Sequence, residues 1–322
     1  MTSHHLPTDP ALWTGRPSEV PEYWYQKVSC LPPQLPVNPS EGKSVALLGY
    51  AGDEGVGRNR GRTGAAKGPE AIRKMLAPLA YHLPEDLQIA DYGDIMTLDE
   101  AMEDSHAGIS AWVYKLLDVG HFPVLLGGGH DLALAHAQGI REYLEPKNKT
   151  LGIINLDAHF DLRKPVAGKG HSGSPFFQLA EAATPKFPFH YLCLGIQKAS
   201  NPPSLFATAK EMGVHWMEMD QFRLSNWGEI SSQLDQFCGK VDQLYLTLDM
   251  DGFAAPYALG VSAPSPMGFT PELAFKVFDH LALSGKLISM DVVELNPRFD
   301  SDHLTAKLAA RAIDALLNKL FQ

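Results

Sequence analysis

The stretch LGIINLDAHFDLR, residues 151–163, runs from apolar residues straight into Asp157, His159 and Asp161. Ionised groups at the end of a buried strand are costly unless they are paired or bound to a metal. Three of them on one face would also repel and desolvate one another. Along an extended chain residues i, i+2 and i+4 point to one side, so these three can aim at a common point. Asp249 and Asp251 in QLYLTLDMDGF repeat the arrangement. His130 and Asp131 follow the triple glycine of PVLLGGGHD, and LISMDVVELNP carries Asp291 and Glu294 before Asn296 and Pro297. His130, Asp157, His159, Asp161, Asp249 and Asp251 together supply more donors than one ion can use. Two ions sharing carboxylate bridges can use them. Oxygen and imidazole donors with no thiolate beside them favour Mn²⁺ over a structural zinc site. Two such ions, about 3.5–4 Å apart, lower the pKa of a shared water and make it a nucleophile at neutral pH.

Each motif taken alone has an ordinary structural reading. A histidine after glycines can be a turn residue, Asp249 and Asp251 can cap a helix, and Glu294 before Asn-Pro can be a solvated turn carboxylate. A calcium loop is not supported, because the glycine-containing twelve-residue loop with a terminal Glu is missing. The triple glycine lacks the GxxxxGK[ST] phosphate-loop pattern. The joint occurrence of the motifs, with DAHFD the hardest to read structurally, points to a metal site.

The elements that must position these residues follow from a rhythm that begins at residue 44. Short β-prone runs (SVALLGY, LQIADYG, FPVLLGG, LGIINLD, HYLCLGI, GVHWMEM, QLYLTLD, KLISMDVVE) alternate with helical segments. GPEAIRKMLAPL places Pro69 at the start of a helix. TPELAFKVFDHLALSG has Thr270 as N-cap, Pro271 after it and Gly285 as a stop. SDHLTAKLAARAIDALLNKLF reads as a long amphipathic C-terminal helix. Alternating strands and helices argue for a parallel sheet covered on both faces. The expected fold is a single-domain, three-layer α/β/α arrangement with a mostly parallel, eight-stranded sheet over residues 44–322. Residues 1–43, rich in Pro, Ser and aromatics, read as an irregular arm packed on its surface. In a parallel sheet all carboxyl ends lie on one edge, where ligand crevices form, so the four polar clusters are expected to meet.

Composition narrows the function classes. The 322 residues are 45% apolar, enough for a large core, with a formal net charge of −10. That balance argues against a nucleic-acid binder, which needs a basic patch for phosphates. Cys30, Cys193 and Cys238 are an odd number at wide spacing without a CxxC, so neither a disulfide framework nor a cysteine zinc site is expected. No apolar run reaches the length of a bilayer span, and MTSHHLPTDP lacks the order of a signal peptide. The expectation is a cytoplasmic protein with no membrane partner.

GGGHD, NLDAHFD, TLDMDGF and ELNP, in this order and at these intervals, resemble the ureohydrolases: arginase, agmatinase and formimidoylglutamase. The resemblance runs from about residue 44 to the C-terminus. It implies an eight-stranded, mostly parallel α/β domain that holds two Mn²⁺ ions and hydrolyses a C–N bond of a guanidino or formimino group. By motif position, His130, Asp157, Asp161 and Asp249 would bind one ion, and Asp157, His159, Asp249 and Asp251 the other, with Asp157 and Asp249 bridging. Glu294 would hold the amidine-like cation, and Asp161 would help to orient the nucleophile. The family is often oligomeric, which implies a homo-oligomer whose contacts the arm could serve.

Within the family, arginases and agmatinases tend to read GGDHS, DxDxxDP and GTGTP. This chain instead has GGGHD, DMDGFAAP and GVSAP. With GYAGDEGVGRNRGRTGAAKGPEAIRKML and DPALWTGR, these variants resemble formimidoylglutamase, which converts N-formimidoyl-L-glutamate to L-glutamate and formamide in histidine degradation. That substrate carries two carboxylates. GRNRGRTG supplies Arg58, Arg60 and Arg62 with Asn59 among glycines, and guanidinium groups bind carboxylates bidentately. Relatives carry a histidine in an HG[TNQ]P-like motif near the leaving group. Here GHSGSPFFQ puts Ser172 at that position with His171 just before it. The resemblance thus implies His171 as a substrate-side or proton-shuttling group, and Ser172 and Ser174 as candidates for a substrate carboxylate. The alternatives are another ureohydrolase acting on a guanidino compound, a metal-binding relative without catalysis, or a deacetylase-type relative with a single zinc.

Overall fold

The computed structural model describes residues 4–38 and 42–322; residues 1–3 and 39–41 of the expected arm lie outside them. Ten strands form one sheet: β1 (His4–Leu6), β2 (Val28–Cys30), β3 (Ser44–Ala51), β4 (Gln88–Met96), β5 (Phe122–Leu126), β6 (Leu151–Leu156), β7 (His190–Ile196), β8 (His215–Glu218), β9 (Gln243–Asp249) and β10 (Leu287–Val293). The helices are α1 (Glu54–Arg58), α2 (Gly68–Leu76), α3 (Met102–Asp118), α4 (Leu132–Leu144), α5 (Pro175–Glu181), α6 (Pro203–Glu211), α7 (Trp227–Cys238), α8 (Pro271–Leu283) and α9 (Leu304–Phe321).

The main path of the sheet runs β4-β3-β5-β10-β9-β6-β7-β8, and every pairing along it is parallel. These are the eight strands expected from the apolar runs. Their central members are buried along their whole length, as in β5 and β6, because helices cover both faces. Val45 and Leu47 of β3 join the core under α2, α7, α8 and α9, while Ala46, Leu48 and Tyr50 join the core under α3, α4, α5 and α6. The local signals for α8 hold: Thr270 accepts from the Leu273 N–H at 3.4 Å, Pro271 opens the helix, and Gly285 beyond its end has φ +64°. Pro69 lies in the first turn of α2, one residue after its start.

The sheet has ten strands rather than eight because the N-terminal segment supplies two more. β1 pairs antiparallel with Asp94–Met96, and β2 pairs parallel with Ile89–Asp91. Trp13 and Trp24 are buried. Strands of three residues in a Pro-rich context carry no period of their own, and only the exposed edge of β4 creates them. Asp91 is the anchor. It accepts from Thr8 Oγ at 2.8 Å, from Trp13 Nε1 at 2.8 Å, and from Arg73 Nε and Nη2 at 2.7 and 2.9 Å. Arg73 also reaches Asp94 at 2.6 Å and is fully buried. Removing one member of such a buried network strands the others. Arg73→Ala should lower stability by about 3–5 kcal/mol, read as a shift of the urea midpoint with an unchanged slope.

Candidate active site

The four strands that carry the polar clusters are contiguous in the order β5-β10-β9-β6, although they are far apart in sequence. Their carboxyl ends therefore deliver His130, Glu294, Asp249 with Asp251, and the DAHFD loop to one edge. The local geometry differs from simple alternation. β6 ends at Leu156, so Asp157, His159 and Asp161 lie in the loop beyond it, and Asp161 has a left-handed backbone (φ +50°). Asp249 closes β9, while Asp251 lies in the single 3₁₀ turn Met250–Gly252. Alternation holds within the strands: Thr247 precedes Asp249 on one face and contacts His130 Nε2 at 3.0 Å. The triple glycine packs tightly. A Cβ at Gly128 would come within 1.8 Å of the Gly52 carbonyl oxygen, so only glycine lets β5 turn there.

The donors gather in two sets. His130 Nδ1 faces Asp157 Oδ2 at 3.3 Å, Asp161 Oδ2 at 3.0 Å and Asp249 Oδ2 at 3.0 Å. His159 Nδ1 faces Asp157 Oδ1 and Asp251 Oδ1, both at 3.3 Å. Asp157 thus turns one oxygen to each set, as a bridging ligand would. Asp249 turns Oδ2 to the first set, and its other oxygen accepts the Asp251 N–H at 2.8 Å, beside the second set.

The residues fit divalent cations on three grounds. His130 Nδ1 and Asp251 Oδ1 are buried without an aligned hydrogen-bond partner, a loss that a buried polar atom normally avoids. Burial, then the charges of Asp251 and Asp157, push Asp249 well above the usual carboxylate range; cations among the aspartates would remove that repulsion. The donors are oxygen and imidazole only, since the nearby Cys193 thiol instead donates to the His159 carbonyl at 3.3 Å. This set suits a hard ion such as Mn²⁺.

Glu294 sits beside these sets with φ +65°. It accepts the His130 N–H at 2.8 Å, and burial followed by the Asp251 charge pushes its pKa up to about 8. Asn296, two residues on, donates to the Arg62 and Thr63 carbonyls at 2.9 and 3.1 Å. The ELNP motif thus offers one carboxylate to the site and ties the arginine-rich loop to it. Asp291, also on β10, belongs elsewhere: it lies inside the strand and bonds His136 at 2.7 Å and the Tyr245 hydroxyl. Asp131 accepts from the Tyr50 hydroxyl at 2.6 Å and contacts His106 Nε2 at 3.0 Å. These two partners, which hold the turn after His130, left no sequence signal.

A cleft of about 980 Å³ opens over the donors. Asp161, Asp249, Asp251 and Glu294 line its floor, and Arg58, Arg60, Arg62, Arg163 and Lys164 line its wall and mouth. Asn59, His171 and Ser172 also reach it, but Ser174 does not. Ser174 is fully buried, accepts the His171 N–H at 2.9 Å and donates to Gln178, a structural role at the start of α5. His171 is held by both ring nitrogens: the Gly173 N–H lies 3.2 Å from Nδ1 and the Lys164 carbonyl 3.3 Å from Nε2. Burial lowers its pKa, so it is a neutral wall residue. Arg163, two positions after Asp161 in DAHFDLR, lines the cleft as well.

The sequence model of the Arginase family matches residues 43–318. The formimidoylglutamase of Ralstonia nicotianae is 41% identical over 317 residues, covering 96% of this chain and 95% of its own length. That of Aeromonas salmonicida is 40% identical over 311 residues, covering 95% and 96%. Among solved structures, Trypanosoma cruzi formiminoglutamase with Mn²⁺₂ aligns with a TM-score of 0.77 at 26% identity, covering 89% of this chain and 97% of that one. Formimidoylglutamase from Bacillus subtilis shares the fold, with a TM-score of 0.83 over 95% of this chain and 94% of its own at 22% identity. A parallel sheet whose four central strand ends converge on aspartates and histidines, matched over nearly its whole length, makes this chain a member of the arginase family.

Proposed function

We propose that the chain is a formimidoylglutamase, which hydrolyses N-formimidoyl-L-glutamate to L-glutamate and formamide with two Mn²⁺ ions. The observation that carries this reading is the split polarity of the cleft over the aspartates and histidines. Its acidic floor suits the formimino cation, and its arginines suit a substrate with two carboxylates. Relatives at about 40% identity over nearly the whole chain carry the same name. Arginine has only one carboxylate and agmatine none, so neither needs so basic a wall.

In this reading His130, Asp157, Asp161 and Asp249 would hold one ion, and Asp157, His159, Asp249 and Asp251 would hold the other. The ions supply Lewis acidity, which generates a nucleophile from water at neutral pH and stabilises developing negative charge. The chain's own residues do the rest. Glu294, ionised once cations offset Asp251, binds the formimino nitrogens and turns the carbon toward the nucleophile. Asp161 Oδ2 faces His130, leaving Oδ1 to take the proton that water loses and pass it to the glutamate nitrogen as the C–N bond breaks. His171, with both ring nitrogens occupied, shapes the wall. This reading places the enzyme in histidine degradation, in the cytoplasm and as a homo-oligomer. Three unpaired thiols, and the lack of a membrane-length apolar helix among the described residues, are compatible with that compartment.

Product analysis tests the proposal. Mn²⁺-loaded protein given N-formimidoyl-L-glutamate should release formamide and glutamate in equal amounts. Urea release from arginine or agmatine, without formamide from the formimino substrate, would overturn it.

A further inference from the structure

The loop that carries Asp157, His159 and Asp161 is held from one side by side chains of β7 and the turn after it. Three successive carbonyls of the loop each accept from one of them. Ala158 accepts from Asn201 Nδ2 at 2.8 Å, His159 from the Cys193 thiol at 3.3 Å and Phe160 from the Tyr191 hydroxyl at 3.1 Å. Asn201 Oδ1 also accepts the Phe160 N–H at 3.1 Å. All three donors are buried. Tyr191 and Cys193 stand at i and i+2 on β7 and so share one face. β7 pairs directly with β6, the strand that leads into the loop.

Phe160 is thereby clamped at both backbone groups, its N–H by Asn201 and its carbonyl by Tyr191. Its ring is fixed too, edge-on to Phe206 and Trp216 with centres 5.0 and 5.6 Å away. Asp161 comes next, and its φ of +50° is a left-handed conformation that a residue with a Cβ rarely adopts. Two residues further on, the Arg163 N–H donates to the Gly173 carbonyl at 2.8 Å. The strained residue therefore lies between two fixed points. Without the first of them it could relax toward the right-handed or extended region and carry its carboxylate away from His130. The Tyr191 hydroxyl has a second partner. It accepts from Asn155 Nδ2 at 2.9 Å, and the same nitrogen donates to Asp157 Oδ2 at 2.9 Å.

We infer that Tyr191 is a positioning residue: with Asn201 it clamps the Phe160 peptide, holds Asp161 in its left-handed turn and so sets how tightly the His130 donor set binds its ion. The inference rests on the two-ion reading proposed above. Tyr191 does not line the cleft, so it acts through Asp161 and not on the substrate. Its ring stacks on Phe176 with centres 4.3 Å apart, which fixes where the hydroxyl points.

The test starts from Tyr191→Phe, which keeps the stacked ring and removes only the hydroxyl. Mn²⁺ titration of the metal-stripped protein, followed by electron paramagnetic resonance, should show one ion weakened about ten- to a hundredfold and the other nearly unchanged. At saturating Mn²⁺, kcat for N-formimidoyl-L-glutamate should fall about tenfold with KM unchanged. A double-mutant cycle reads the route. In an Asp251→Ala background, where the His130 set alone is complete, Tyr191→Phe should still cost the full factor in affinity. In an Asp161→Ala background it should cost almost nothing, because the residue it positions is gone. Phe206→Leu loosens the packing around Phe160 without touching a hydrogen bond of the loop. It should lower the melting temperature and leave Mn²⁺ affinity in place. Wild type that releases no formamide would sink the proposed function, and the titrations would still decide this inference. Unchanged Mn²⁺ affinity in Tyr191→Phe, an equal loss in the Asp161→Ala background, or the same loss in Phe206→Leu would overturn the inference while leaving the function standing.

Discussion

Asp157→Ala should lose both metal ions and nearly all activity. Asp157 turns Oδ2 to His130 and Oδ1 to His159, so its removal opens both donor sets at once. It also accepts from Asn155 Nδ2 at 2.9 Å and from the His159 N–H at 2.7 Å, contacts that shape the loop carrying His159 and Asp161. Loss of an outer partner of a metal ligand typically costs about 10–100-fold. Loss of a shared ligand should exceed that and lower kcat/KM by more than about a hundredfold. Metal analysis of the dialysed protein separates the roles of its neighbours. Asp157→Ala should retain neither ion, whereas Asp251→Ala, a member of the His159 set only, should retain one per chain. If Asp157→Ala kept one ion and Asp251→Ala none, the assignment of the bridge would be wrong.

Glu294→Gln should fall nearly as far in rate while keeping its metal. Gln preserves the shape and still offers an oxygen to the His130 N–H, so the turn after the triple glycine stays in place. What it removes is the negative charge facing the formimino cation. Truncating one partner of a buried charge pair costs about 2–5 kcal/mol, or roughly thirtyfold to several thousandfold in kcat/KM. The defect should appear in kcat as well as KM, since the carboxylate orients the carbon as well as binding the cation. Full activity in Glu294→Gln would show that another group carries that charge. Loss of metal along with activity would show that its bond to His130, not its charge, is what matters.

The chain alone determined the parallel α/β frame and the edge at which the polar clusters gather. Each of these follows from local pattern: buried strands read as apolar runs, helices start and stop at Thr270, Pro271 and Gly285, and polar clusters end four particular strands. Tertiary structure decided how the donors meet. Their convergence comes from the β5-β10-β9-β6 neighbourhood and from a left-handed Asp161 beyond its strand, rather than from alternation along an extended segment. It decided that Asp291 faces His136 and that Ser174 serves α5. It also decided that β1 and β2 exist at all, since three-residue strands form only where β4 offers an edge. Most of all it sorted the arginines. Arg58 and Arg62 are chemically alike in the sequence, but Glu103 lies opposite one and the Ser262 carbonyl opposite the other. Those partners are 45 and 200 positions away, beyond the reach of any local pattern.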